Sequence, residues 1–596
     1  MNILGLSFFY HDAAAVLLRD GIPVAMAEEE RFSKKKHDSG FPEQAIRFVL
    51  DTAKIRAENL DLVVFYEKPF LKFERVFKMN FATFPAAPEA FAESTKNLFL
   101  EKIWIRPLIA KKLCIDREKI FFSGHHLSHA ASAFFSSPFE KAAILSIDGV
   151  GEWATTAIAI GNGHTIDILK EIHFPHSLGL LYSAFTAFLG FEVNEGEYKV
   201  MGMAPYGTPV YAKEVKDMID FFEDGSYALD LDYFSFHKSV QRSFSKKFID
   251  VFGLPRDPQS KFFTRTTGWP FYFGEKPESR VYEKMALEQE HYADIASSVQ
   301  AVLEEAVIRL ANHARKLTGA DSLCIAGGVG LNSAANWKIV QNTFFKNIFI
   351  QPAAGDAGGA LGAALAAYHI GFGKERKFTM RHAYYGKEYS DETIETFLKD
   401  KNIEYSHYEK EEELVLTVAR EIAEGKVVGW FQGKFEWGPR ALGNRSILAD
   451  PRRADMKNII NTKIKFREPY RPFAPSVLAS HAEEFFEIPD ASTHIPARFM
   501  LYVVKVREEK RRVIPAVTHV DGTARPQIVF KEESPRFHRL IETFYGITGI
   551  PLLLNTSFNL KGEPIVDSPE DAISTFERSG LDVLIMGSFL ISRRGE

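Results

Sequence analysis

His125 and His129 stand four positions apart in Ser123-Gly124-His125-His126-Leu127-Ser128-His129-Ala130, which follows the apolar stretch Ile120 to Phe122 and runs into small residues. On a helix, imidazoles at i and i+4 share a face and can close on one divalent cation. The same spacing suits a capped helix start carrying ordinary histidines, and the pair alone does not separate the two. Two carboxylates shift the balance. Asp148 ends the buried-type strand Ala142 to Asp148, and Asp356 lies in Gly355-Asp356-Ala357-Gly358-Gly359, where small residues let a ligand approach. Two histidines with two carboxylates suit iron(II), manganese or zinc.

Two glycine-rich loops end strands, one with Gly149 and Gly151, the other with Gly327, Gly328 and Gly330 leading to Asn332. Free backbone amides in such loops can hold phosphate oxygens, although either loop alone reads equally well as a tight turn. A third constellation is electrostatic. Residues 434–471 carry ten basic side chains against four acids, a surplus of six that leaves the rest of the chain at −11. Arg440 and Arg471 sit beside prolines within it, an arrangement better suited to a fixed anion pocket than to a solvated basic face. Hydroxyl and amide groups follow the strand ending at Leu554, in Asn555-Thr556-Ser557-Phe558-Asn559.

The elements that must position these groups are partly repeated. Strands Ile3 to Ser7, Ala13 to Leu18 and Ile22 to Ala27 form a meander, turned at Asp20-Gly21, around the polar loop Phe8 to Asp12. Ala142 to Asp148, Thr155 to Ile160 and Thr165 to Ile172 repeat the plan at nearly the same spacing, so a duplicated unit with two facing loops is expected. A helix is predicted from an Asp294 cap to Leu317 with Gly319 as its stop, followed by strands Ser322 to Ala326 and Ile348 to Gln351 and a helix ending near His369. Periodicity fails between Gly371 and His382, which places domains at 1–372 and 383–596. The second domain alternates helices (391–399, 411–424) with strands (427–431, 551–554, 583–586), again α/β. Ser568-Pro569 reads as a helix cap with proline in the first turn.

Composition bounds the partners. At 46% hydrophobic and 25% charged residues the 596-residue chain is folded throughout, and two cysteines support neither a disulfide framework nor a four-thiolate metal site. A net charge of −5 argues against a nucleic-acid or membrane face, and no leader or spanning stretch is evident, so a cytoplasmic protein is expected; a homo-oligomer is compatible with all of this.

The segments Glu-Glu-Arg-Phe-Ser-Lys-Lys-Lys-His-Asp (29 to 38), Phe-Pro-His-Ser-Leu-Gly (174 to 179), Lys-Val-Met-Gly-Met-Ala-Pro-Tyr-Gly (199 to 207), Gly-Pro-Arg-Ala-Leu-Gly-Asn-Arg-Ser (438 to 446) and Arg-Pro-Phe-Ala-Pro (471 to 475) resemble the O-carbamoyltransferases of the nodulation protein U, cephamycin and tobramycin family, over nearly the whole chain. That resemblance implies an actin/sugar-kinase-like (Kae1-like) N-terminal domain, similar to tRNA threonylcarbamoyl transferases, and an α/β YrdC-like C-terminal domain, similar to threonylcarbamoyl-adenylate synthases. It implies that the second domain makes carbamoyl adenylate from carbamoyl phosphate and ATP, with magnesium, and that the first passes the carbamoyl group to a hydroxyl of a small molecule. It carries metal ligation, expected for iron(II), to His125, His129, Asp148 and Asp356. Carbamoyl phosphate and ATP contacts go to Arg440, Lys465, Arg471 and Ser557, and catalytic roles to His11, Lys36 and His37. A tRNA-modifying enzyme and a non-catalytic actin-like ATP-binding regulator are the alternative readings.

Overall fold

Alternating apolar residues and an Asp20-Gly21 turn, both residues at positive φ, fold the N-terminus into a tight hairpin and meander: β1 (Asn2–Ser7), β2 (Ala14–Arg19) and β3 (Ile22–Glu28). The computed structural model describes residues 1–83, 104–239, 241–270, 273–468 and 470–593. On the other side of β1, strands β4 (Leu62–Phe65) and β5 (Ile120–Phe122) join in parallel, giving the order β3-β2-β1-β4-β5. Helix α1 (His125–Phe134) follows.

The second copy has the same plan. Antiparallel β6 (Lys141–Ile147), β7 (Ala154–Asn162) and β8 (Thr165–His173) are extended past β6 by parallel β9 (Ser322–Ala326) and β10 (Asn347–Ile350), in the order β8-β7-β6-β9-β10. The duplication read from the sequence is thus a duplicated sheet. Between β8 and β9 runs α2 (Ser279–Thr318), 40 residues long and starting well before the predicted Asp294. The buried face continues N-terminally through Tyr282, Ala286 and Gln289, and the Asp294 carboxylate accepts the Thr208 amide at 2.6 Å instead of capping its own helix.

After β10, α3 (Asp356–Ala366) is buried along its whole length. Its glycines set that depth: a Cβ on Gly362 would lie 1.7 Å from the Ser128 carbonyl oxygen of α1. Only without side chains there can the two helices approach closely enough to bring Asp356, at the first turn of α3, beside the histidines of α1.

The chain divides into two compact units. One comprises Met1–Glu29, His37–Lys261 and Ser279–Met380; the other comprises Glu30–Lys36, Phe262–Glu278 and Arg381–Glu596. The second unit is built on an eight-stranded mixed sheet. Its strands are β11 (Ser406–His407), β12 (Val428–Phe431), β13 (Arg445–Ala449), β14 (Ala474–Leu478), β15 (Gln527–Val529), β16 (Leu552–Ser557), β17 (Val583–Met586) and β18 (Phe589–Ser592), in the order β11-β18-β17-β12-β13-β16-β14-β15. Helices at Asp391–Asp400 and Glu411–Ala423 match the periodic segments, and Ser568 caps the helix Pro569–Glu577 through a reciprocal capping box. Among the described residues, no helix is long and apolar enough to cross a membrane.

Candidate functional site

In the first unit the two meanders deliver their loops to one place, and α1 and α3 complete it. His125 Nε2 lies 2.9 Å from Asp148 Oδ2 and 3.1 Å from His129 Nε2, while His129 Nε2 lies 3.4 Å from Asp356 Oδ1 and 3.6 Å from Asp148 Oδ2. All four side chains are buried. Donor atoms around one cation at roughly 2.0–2.2 Å stand about 2.9–3.5 Å from one another, so these separations are close to the edges of a single coordination polyhedron. Asp356 Oδ1 is buried without a hydrogen-bond partner, and two imidazole nitrogens meet face to face. Both conditions are relieved by a shared cation, so the residues fit a divalent metal.

The electrostatics agree. Burial alone would raise the Asp148 pKa, but hydrogen bonds and charge from His125 and His129 hold it well below the ordinary carboxylate value. Burial likewise opposes a charged His129, and Asp148 with Asp356 outweigh it, pushing its pKa up to about 9. His126, next to the pair, is different in kind. Its Nδ1 meets Ser146 Oγ at 2.8 Å and its Nε2 donates to the Ala154 carbonyl at 2.9 Å; burial and the neighbouring His125 push its pKa down to about 3. It is a core histidine that ties α1 to β6 and β7.

Beside this cluster, Asp12 accepts from Nδ1 of both His11, at 2.9 Å, and His37, at 2.7 Å. His11 Nε2 then faces Asp356 Oδ2 at 3.9 Å. Burial disfavours charge on His11, yet Asp356 and Asp12 raise its pKa to about 10. Sequence reasoning named the histidines and missed Asp12; the duplicated loop plan, which puts an acid at Asp148 in the other copy, was the signal that could have found it.

The glycine loops are occupied by structure. The Gly328 amide donates to Asp148 Oδ1 at 2.8 Å, a Cβ on Gly327 would strike the Ile147 carbonyl at 2.2 Å, and one on Gly151 would sit 2.8 Å from the His125 ring. Asn332 caps the following helix through the Ala335 amide and pairs with Gln300. In the folded chain these residues, read from the sequence as nucleotide ligands, pack against the His/Asp cluster, and the Gly328 amide fixes Asp148. An added Cβ on Gly149 would make only ordinary contacts, 3.8 Å from Tyr10 Oη and 3.9 Å from the Leu180 side chain.

The second unit holds the opposite arrangement. Lys465 is 2% exposed, and among the described residues its ammonium donates to neutral oxygens: the Ser557 carbonyl, Ser557 Oγ at 3.2 Å, and the carbonyl and Oδ1 of Asn559 at 3.0 and 2.7 Å. Burial and the charges of Arg467, Arg471 and Lys36 push its pKa well down. Lys36, expected beside His37 in the N-terminal site, therefore groups with the second unit. Arg471 pairs with Glu468 at 2.7 Å. Arg525, which no motif reading found, sits close enough to Arg440 and Arg467 for burial and their charges to weaken its hold on its proton. It lies outside the basic run, and its Arg525-Pro526 pairing, like Arg471-Pro472, was the available signal. Lys457 is lowered to about 8 by burial and Arg467. Like charges gathered this closely favour a bound anion.

Comparison with known proteins places this geometry. Residues 2–365 match the carbamoyltransferase N-terminus model and residues 419–593 the carbamoyltransferase C-terminus model. The chain is 39% identical to nodulation protein NolNO of Sinorhizobium fredii, over 98% of this chain and 79% of that one. It is 33% identical to the 3'-hydroxymethylcephem-O-carbamoyltransferase of Streptomyces clavuligerus over 46% of this chain and 49% of that one, and 43% identical to the uncharacterized protein sll1178 of Synechocystis over 100% and 97%. Among solved structures it aligns with HypF of T. kodakarensis at 14% identity and a TM-score of 0.30, over 62% of this chain and 48% of that one. With both halves of the chain matched in order, this protein belongs to the carbamoyltransferase family and is an enzyme that transfers carbamoyl groups.

Proposed function

We propose that the enzyme works in two steps on two sites. In the second unit, carbamoyl phosphate and ATP give carbamoyl adenylate, with water consumed and phosphate and pyrophosphate released. In the first unit, the carbamoyl group passes to a hydroxyl of a small molecule and AMP leaves. The observation that carries this reading is the division of charge: acids converging with histidines in one unit, cations converging in the other.

Carbamoyl phosphate and ATP are both polyanions. Lys465 is held by neutral dipoles and its charge is disfavoured by burial and neighbouring cations, so phosphate oxygens would supply the counter-charge it lacks, and the guanidinium forks of Arg440, Arg471 and Arg525 suit bidentate phosphate contacts. Ser557 Oγ, within reach of Lys465, orients it. Shielding from water limits hydrolysis of a reactive carbamoyl species.

In the first unit, a divalent metal held by His125, His129, Asp148 and Asp356 supplies a Lewis acid for a phosphate or carbamoyl oxygen. The chain's own groups handle the proton. Asp12 holds both His11 and His37 through Nδ1, which leaves Nε2 of His11 directed at the cluster. A divalent cation held by Asp356 would offset the carboxylate charge that raises the His11 pKa, and the neutral His11 ring would then be free to accept the proton of the attacking hydroxyl. The cephem enzyme among the relatives is named for carbamoylating a hydroxymethyl group, which supports a hydroxyl acceptor here. The test is pyrophosphate release from ATP: it depends strictly on carbamoyl phosphate if the reading is right, and proceeds without it, or not at all, if the reading is wrong.

A further inference from the structure

The inference rests on the reading of His125, His129, Asp148 and Asp356 as metal ligands. A histidine that ligates through Nε2 carries its ring proton on Nδ1, and that N–H requires an acceptor when buried. His125 is 1% exposed, its Nε2 faces Asp148 and His129, and its Nδ1 is buried without a hydrogen-bond partner among the described residues. Across from Nδ1 stands Glu67, with Oε2 4.0 Å away.

Glu67 is itself 2% exposed, and both its oxygens accept from Lys72 Nζ, at 2.9 and 2.8 Å. Burying such a pair costs desolvation that apolar residues would avoid, so its place against a ligand histidine calls for a function. Its chain neighbours address the same cluster. Tyr66 Oη donates to Asp356 Oδ2 at 3.2 Å, and the Lys68 amide donates at 2.8 Å to Glu152, whose carboxylate also takes the His125 amide at the start of α1. Three consecutive residues leaving β4 therefore brace the cluster from outside.

We propose that Glu67 is a positioning residue of the metal centre: its carboxylate, anchored by Lys72, takes the Nδ1–H of His125 and fixes the tautomer and ring orientation that present Nε2 to the cation. Tyr66 acts in the same way on Asp356, engaging Oδ2 and leaving Oδ1 for the metal. Lys72 holds Glu67 by both oxygens, which keeps this third carboxylate from joining the ligand set.

The test uses the full-length protein stripped with chelator and titrated with cobalt(II), followed by visible absorption, alongside thermal melting. Glu67→Ala is expected to weaken cobalt binding about 10- to 100-fold and to shift the visible bands, the usual size of an outer-shell effect, and Glu67→Gln, which keeps an acceptor oxygen without the charge, about tenfold. A purely structural ion pair would lower the melting temperature and leave affinity and spectrum unchanged, and that result overturns the proposal. Where Glu67→Ala does not fold, Glu67→Gln decides, and wild-type affinity in it is contrary. If wild-type protein fails to bind cobalt, the metal reading and this proposal fall together; if wild type binds and the folded variants match it, only the role of Glu67 falls.

Discussion

The two charged clusters are built on opposite principles. In the first unit, donors of complementary character converge to separations close to the edges of one coordination shell, within 4.8 Å of one another, and the surrounding hydrogen bonds serve to aim them. In the second, cations gather with Glu468 as the acid among them and with neutral oxygens as supports. The first requires positive charge at its centre and the second negative charge. On the proposed two-step reading, that contrast assigns the half-reactions: a compact Lewis acid would suit activation of one oxygen, and a dispersed set of guanidinium and ammonium groups would suit polyphosphate.

The contrast can be broken most severely at the metal ligands. His129→Ala or Asp356→Ala should lose bound metal and lower carbamoyl transfer by ~10³-fold, several kcal/mol of Lewis-acid stabilisation, as read by elemental analysis and product mass spectrometry. Next in size, Lys465→Met, Arg440→Ala and Arg525→Ala should each weaken pyrophosphate formation by about 10- to 150-fold, the range for one charge-assisted hydrogen bond. Arg471→Lys should not restore function, because an ammonium lacks the two-donor fork. His126→Ala should destabilise the fold by about 2 kcal/mol through two lost hydrogen bonds in the core, yet retain full metal content, which separates it from its neighbours.

The smallest effect is protonic. With Lys457 lowered to about 8, a fraction of this side chain is neutral at pH 8, and a bound phosphate draws it to the charged form. ATP binding should therefore take up a fraction of a proton near pH 8 and none near pH 6, where the ammonium is already formed. Calorimetry in buffers of different ionisation enthalpy measures this, and Lys457→Met should reduce the uptake near pH 8.

Much of the first unit was legible because its chemistry follows local patterns. Period-two strands, the Asp20-Gly21 turn and an i, i+4 histidine pair each register in a short window, and the repeated meander exposed the duplication. What escaped were relations across the fold. The packing of Gly327 against β6, the bond of the Gly328 amide to Asp148 and the capping bond of Asn332 are relations that no short window of sequence displays. The start of α2 was placed too late because Asp294 resembles a cap, whereas its carboxylate serves the Thr208 amide. In the second unit the basic run concealed strand β13, since charge drew the reading away from the apolar residues Ile447 to Ala449, and the short strand β14 just beyond it also went unread. Arg525 joins that cluster only through the tertiary fold.

The division of labour between the clusters is tested most directly by one paired assay of His125→Ala, with Arg440→Ala as its mirror. Carbamoyl-phosphate-dependent pyrophosphate release and hydroxyl carbamoylation are measured on the same folded preparations. The account predicts that His125→Ala releases pyrophosphate at near wild-type rate while forming no carbamoylated product, and that Arg440→Ala loses both but regains transfer when supplied with carbamoyl adenylate. If His125→Ala loses pyrophosphate release as completely as Arg440→Ala, the two clusters form one composite site and the division is wrong.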